Sequence, residues 1–157
     1  MTTMAKYAQN TSVSIERSQA EIQKILRNYG AKRFGTMEDE DKLYLMFEYN
    51  NLSIQYDVPL PKKEEFLKTD MGRNRKQNQA QATYEQAIRQ RWRAMVIGVK
   101  AKLEFINDGI STFEEEFGMK VIMPDGQTLG SHLIPDLKQI AASGKMPKLL
   151  NYTKGNE

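Results

Sequence analysis

The sequence predicts an α+β fold: an antiparallel three-stranded meander packed on an N-terminal helix and a long central helix, with a C-terminal hairpin-helix appendage. Three observations predict it. The stretch "KLYLMFEYNNLSIQYDV" alternates on both sides of Asn50-Asn51, the pattern of a tight hairpin with one buried face. Tyr84, Ile88, Trp92, Met95, Val99, Leu103 and Ile106 recur every three or four residues, a helical stripe of roughly 40 Å. An apolar sheet face must be covered, and that stripe is the one extensive enough to cover it.

The elements follow in order. Residues 1–13 lack periodicity and read as a loose terminus. Ser14 suits an N-cap and Glu16 the positive end of the helix dipole. Ile15, Ile22, Leu26 and Tyr29, with Ile25 beside them, give a helix that Gly30 stops. "AKRFGTM" reads as a strand, with the acidic "EDED" as the turn after it. Folding at Asn50-Asn51 pairs Tyr49 with Leu52, Phe47 with Ile54, Leu45 with Tyr56 and Leu43 with Val58, all on one face. Tyr44, Met46 and Glu48 then oppose Asp57, Gln55 and Ser53 on a wet face. Pro59 and Pro61 end the sheet.

Residues 62–80 carry no sustained apolar pattern and read as a mobile connector. The long helix is expected from about residue 80 to 107. Its second face carries Ala87, Ala94, Gly98, Ala101 and Phe105, small residues that would admit another helix, and is the expected interaction face. Ser111 with Glu114, and Thr112 with Glu115, both match capping-box spacing for a short acidic helix. "KVIMPDGQTLG" reads as a hairpin turning at Pro124-Asp125-Gly126. A last helix is expected from Ser131 or Ile134 to Ala142, stopped by Gly144. "KMPKLL" should pack back, and residues 151–157 read as loose. The whole is expected to form one domain over 14–150. Leu43, Leu45, Phe47, Ile54, Tyr56, Ile22, Leu26, Trp92, Met95 and Val99 form the expected core.

Composition narrows the function. The chain has 157 residues, no cysteine and one histidine, His132. Disulfides, zinc-thiolate sites and thiol catalysis are excluded. "GSHLIP" lacks a nucleophile elbow or paired-ligand spacing, so His132 reads as an ordinary residue near a helix start. No run approaches the roughly 18 apolar residues of a membrane span. The N-terminus has no signal-peptide core. A cytoplasmic protein without membrane contact is expected. Phosphate-loop, dinucleotide, HExxH and EF-hand spacings are absent. Glu114, Glu115 and Glu116 are consecutive and diverge by about 100° each on a helix, so they do not converge on a metal. The expectation is no metal, no cofactor and no enzyme.

Charge carries the positive signal. The net charge is only +3. Residues 73–102 nevertheless hold eight basic residues against one acid, Glu85. Arg89, Arg93 and Lys100 share one flank of the long helix; Arg91 and Lys102 border the other. Trp92 points into the apolar seam and reads as core. A basic helix beside a basic connector is a nucleic-acid footprint, because neutralising phosphates releases counterions. The expected contacts are Arg73, Arg75, Lys76, Arg89, Arg93 and Lys100 to phosphates, with Tyr44 stacking on a base. Alternatively Arg89 and Arg93 pair with "EDED", with "EEE" or with Glu85.

The segments "SIERSQAEIQKILRNYGAKRF", "VPLP", "YEQAIRQRWRAMVIGVKAKLEFINDGISTFEEEF", "MPDGQTLG" and "GKMPKLL" together resemble a family of small tailed-phage and prophage proteins. The resemblance covers about residues 14–150, and the long-helix segment is its most specific part. The connector, polar and lengthened, departs from the family pattern. The family carries no assigned activity, so no catalytic residues carry over. The resemblance implies an accessory protein of an infected host cell's cytoplasm. The expected function is non-enzymatic binding of DNA or RNA in genome metabolism. The alternative is a protein-interaction module, an inhibitor of host defence or an assembly subunit. It would use the Ala/Gly/Phe105 face and the acidic 104–116 segment toward a host protein or further copies of itself.

Overall fold

Ser14 and Gly30 bracket the first helix as their chemistry requires. The computed structural model describes residues 8–147, and α1 spans Ile15–Tyr29. The Ser14 hydroxyl accepts from the Arg17 N–H at 3.2 Å. Gly30, at φ +103°, closes the helix in the left-handed region. Ile22 and Leu26 fall on one face and are buried. Residues 8–13, expected to be loose, are tied to the long helix: the Gln86 amide donates to the carbonyls of Gln9 and Thr11 at 3.2 and 2.8 Å.

Three strands follow: β1 Lys32–Glu38, β2 Lys42–Tyr49 and β3 Leu52–Pro59. They form an antiparallel sheet in the order β1-β2-β3. Asn50 and Asn51 take φ +50° and +62°, the two left-handed positions that a two-residue hairpin demands and asparagine tolerates. The β2–β3 register is the one the alternation sets, with Tyr49 opposite Leu52 and Leu43 opposite Val58. A bulge between Lys32 and Gly35 re-aims β1, and Arg33 adopts φ +50° there.

The long helix α2 spans Gln77–Asn107, about 46 Å, and begins three residues before the expected start. Leu43, Leu45, Phe47 and Ile54 from the sheet meet Ile22 and Leu26 from α1 and Ile88, Trp92, Val96, Val99 and Leu103 from α2 in one apolar cluster. Trp92 is core, as its stripe implies. Tyr56 and Met95 pack on the margin of that cluster, half-buried. Val96 takes the central place because α1 lies along that side of α2, so the helix buries a wider arc than one stripe.

α3, Phe113–Phe117, starts with the Thr112–Glu115 capping box; the Ser111–Glu114 pair is not used. Its two phenylalanines are buried. Phe117 meets Phe47 edge-on at 5.7 Å, and Phe113 meets Tyr49 at 4.6 Å. Aromatic pairs of this kind contribute roughly 0.5–1.5 kcal/mol each beyond their buried area.

The connector is not patternless. Lys63–Phe66 form a 3₁₀ turn, and Lys68 and Asn74 make a single antiparallel bridge. Phe66 packs edge-on against Tyr84 of α2 at 5.9 Å. At the C-terminal end, Val121 bridges to Ile54 and the Ile122 N–H donates to the Ser53 carbonyl at 2.8 Å. The expected hairpin thus extends the β3 edge, turning at Gly126 with φ +83°. α4 spans Leu129–Ser143, begins earlier than expected because Thr128 caps it, and ends at Gly144. It rests on a 3₁₀ turn at Gly118–Lys120. Pro147 is buried; the rest of the tail expected to pack back, from Lys148 on, lies outside the described residues, as do 1–7 and 151–157.

Candidate nucleic-acid interface

The basic residues of α2 sort by what they touch. Arg93 donates through Nη1 to the Glu21 carboxylate of α1 at 2.5 Å. That acid is in none of the three groups the sequence offered. Arg89 reaches Gln86 Oε1 through Nε at 3.1 Å and also through Nη2, and so buttresses the amide that holds residues 9–11. Lys102 donates to the Glu116 carbonyl at 3.1 Å and to its carboxylate at 3.3 Å. Arg91 has no hydrogen-bond partner at Nε among the described residues. The flank bearing Arg89, Arg93 and Lys100 faces along α1 rather than outward. The exposed Lys100 lines an open cleft of about 470 Å³ with Asn28, Tyr29, Glu104 and Asn107. Burial, and then the neighbouring Tyr49, raises the Tyr29 hydroxyl above its ordinary pKa.

The connector's cations behave differently from one another. Arg75 is half-buried, and its Nη1 donates to the carbonyls of Phe66 and Lys68 at 3.2 and 2.9 Å. It staples the connector closed. Lys68, Arg73 and Lys76 are exposed. Between them the chain makes a tight turn: the Thr69 N–H donates to the Arg73 carbonyl, and the Gly72 N–H to the Thr69 carbonyl, both at 2.8 Å. Gly72 sits at φ +77°, and Met71 projects at the tip, 84% exposed.

Lys76 is also the N-cap of α2. The Lys76 side chain makes no capping bond and no acid lies in the first turn; within that turn the Asn78 Oδ1 accepts from the Gln79 N–H at 2.9 Å. A long helix so terminated presents unsatisfied N–H groups and a positive dipole end. Lys68 and Met71 were not singled out in the sequence; the "DMGR" turn around Gly72 was the available signal.

Tyr44 lies on the other side of the sheet from the helices, opposite Met37 on β1 and Asp57 on β3. It therefore does not share a surface with Arg89 or Arg93. Of the expected interaction face, Ala94, Gly98, Ala101 and Phe105 are exposed and Ala87 is half-buried.

Two other polar contacts hold local structure. Glu115 returns to the Thr112 N–H at 2.8 Å. His132 Nε2 meets Asp125 Oδ2 at 2.7 Å, clasping the start of α4 to the preceding turn. The Tyr56 hydroxyl is buried without a partner among the described residues; burial, and then Glu116, push it up to about 12. Among the described residues no three His, Asp or Glu side chains gather to hold a metal ion, and no helix is long and apolar enough to cross a membrane. No family model, curated protein or solved structure matches the chain.

Proposed function

We propose that this is a non-enzymatic phage accessory protein that binds nucleic acid through phosphates. The contact surface is the connector tip and the N-terminus of α2. One observation carries the reading: Lys68, Arg73 and Lys76 stand exposed beside the start of a 31-residue helix. Amide donors, dipole and cations there all favour a phosphate. Met71 at the tip adds an apolar group of the kind that wedges between base steps.

The test is fluorescence anisotropy of labelled single- and double-stranded oligonucleotides at two salt concentrations. Binding should weaken steeply with salt. The Arg73→Ala, Lys76→Ala double variant should bind more weakly and with a shallower salt slope. Undiminished binding by that variant removes this surface, and no binding at low salt removes the reading.

A second reading, a protein-interaction module such as a host-defence inhibitor or assembly subunit, is favoured by α4. It leaves Ile134 and Leu137 46% and 49% exposed. A discrete host partner together with no oligonucleotide binding would select it.

A further inference from the structure

α1 and α2 run in the same direction: Gln86 lies beside Thr11, Arg93 beside Glu21, and Leu103 and Tyr29 line one cleft. Toward the N-terminal ends, the groove between the helices is bridged by the Gln86 bonds and the Glu21–Arg93 pair. Toward the C-terminal ends it opens into that cleft of about 470 Å³, a volume in the range of small-molecule sites.

The cleft has an apolar floor and a polar rim. Ile25 and the buried Leu103 form the floor. Tyr29 adds a half-buried ring, packed on Tyr49 at 4.8 Å. The rim carries Asn28 from α1 and Lys100, Glu104 and Asn107 from α2. None of these four side chains makes a hydrogen bond or ion pair among the described residues. Lys100 and Glu104 stand one turn apart, the spacing at which opposite charges meet on a helix, yet they do not pair.

These groups define a ligand. The Glu104 carboxylate only accepts and can take two adjacent donors. Lys100 only donates and suits an anion. About 6 Å of helix rise separates the two. The matching molecule carries paired N–H donors at one end and an anion at the other. Among the common bases, guanine presents two adjacent donors on its Watson–Crick edge, and a 5′-phosphate supplies the anion. The apolar floor suits the face of a base, and the Asn28 and Asn107 carboxamides both donate and accept, as guanine O6 and ribose hydroxyls require. Both helices end at this side, so their negative dipole ends favour the donor edge near Glu104 and set the ligand's direction. Free arginine carries similar charges on a smaller body and would leave both carboxamides without contact.

We propose that the α1–α2 cleft binds a guanine nucleotide, with the base at Glu104 and the phosphate at Lys100. The cleft lies about 36 Å along α2 from Lys76, and the proposal does not rest on the nucleic-acid reading of the connector.

Calorimetric titration of the full chain with guanosine 5′-monophosphate tests it. Adenosine 5′-monophosphate should bind about tenfold or more weakly. Glu104→Gln should erase that preference. Lys100→Ala should weaken the guanine nucleotide about tenfold and leave guanosine unchanged. The Arg73→Ala, Lys76→Ala double variant should bind it as the parent does. A thymidine-only oligonucleotide with and without one guanine identifies the source. A gain from guanine that Glu104→Gln removes means a unit within a nucleic acid; binding of the monophosphate without that gain means the free nucleotide. Absence of both overturns the proposal. So does equal affinity for the adenine nucleotide, a preference that survives Glu104→Gln, or tighter binding of L-arginine.

Discussion

α1 and α4 are both helices of 15 residues, each capped by a hydroxyl at its start and a left-handed glycine at its end. They meet opposite fates. α1 buries Ser18, Ile22 and Leu26 between the sheet and α2. α4 buries only Gly130. The difference lies in the surface each helix meets more than in apolar content. In α1 the apolar residues concentrate on one face. In α4, Leu129, Leu133, Leu137 and Ile140 also share one face, but that face is at most half-buried, packed mainly on the turn at Gly118–Lys120, and Pro135 removes an internal donor. Local signals make a helix in either case; only a matching surface makes it part of the core.

The largest expected effect tests that contrast with one substitution made twice. Leu26→Ala should lower unfolding free energy by about 2–5 kcal/mol, read by denaturant melts. Leu137→Ala should change it by no more than about 0.5 kcal/mol. Equal losses would mean that α4 belongs to the core.

Gly130→Ala acts on α4 alone. The added Cβ would lie 2.8 Å from the Met119 carbonyl oxygen, so α4 should undock. Amide exchange over residues 129–143 should accelerate while α1 and α2 keep their protection.

The caps give a smaller matched pair. Ser14→Ala should cost about 1 kcal/mol of global stability. Thr128→Ala removes the equivalent bond to the Ser131 N–H, yet should leave the global midpoint in place and loosen only α4.

The smallest effect is of pH on the clasp before α4. The Asp125 carboxyl is held below its usual range, first by the Gln127 N–H and then by His132. The folded value is the lower one. The clasp's contribution is therefore complete above the ordinary aspartate value near 4 and fades as pH falls through the lowered one. Amide exchange at Gln127 should show no change attributable to Asp125 between about pH 7 and 5, with loosening below about 4.

These regions also differ in how far they could be read from sequence. The β2–β3 register, both ends of α1 and the burial of Trp92 were legible because each rests on residues within a few positions of one another. Arg93 was not: its partner Glu21 is 72 residues away, and no local pattern names it. The connector was opaque because Arg75 and backbone bonds close it, rather than an apolar stripe. Phe113 and Phe117 could have been found, since two phenylalanines four apart on a short helix mark a buried face. The candidate interface was legible in composition and illegible in detail. Which of eight cations stay exposed depends on acids and carbonyls brought from elsewhere.

The pairing of α1 with α2 also sets an order of events in folding. The meander closes through neighbours in sequence, and its tightest turn is two residues long. The helix pair must gather chain ends some 70 residues apart, and closure entropy rises with the logarithm of that length. The sheet's hairpin is therefore expected to form before the Glu21–Arg93 contact. Halving the connector between them would ease closure by less than about 0.6 kcal/mol. Its length is thus nearly neutral for assembly and open to other uses.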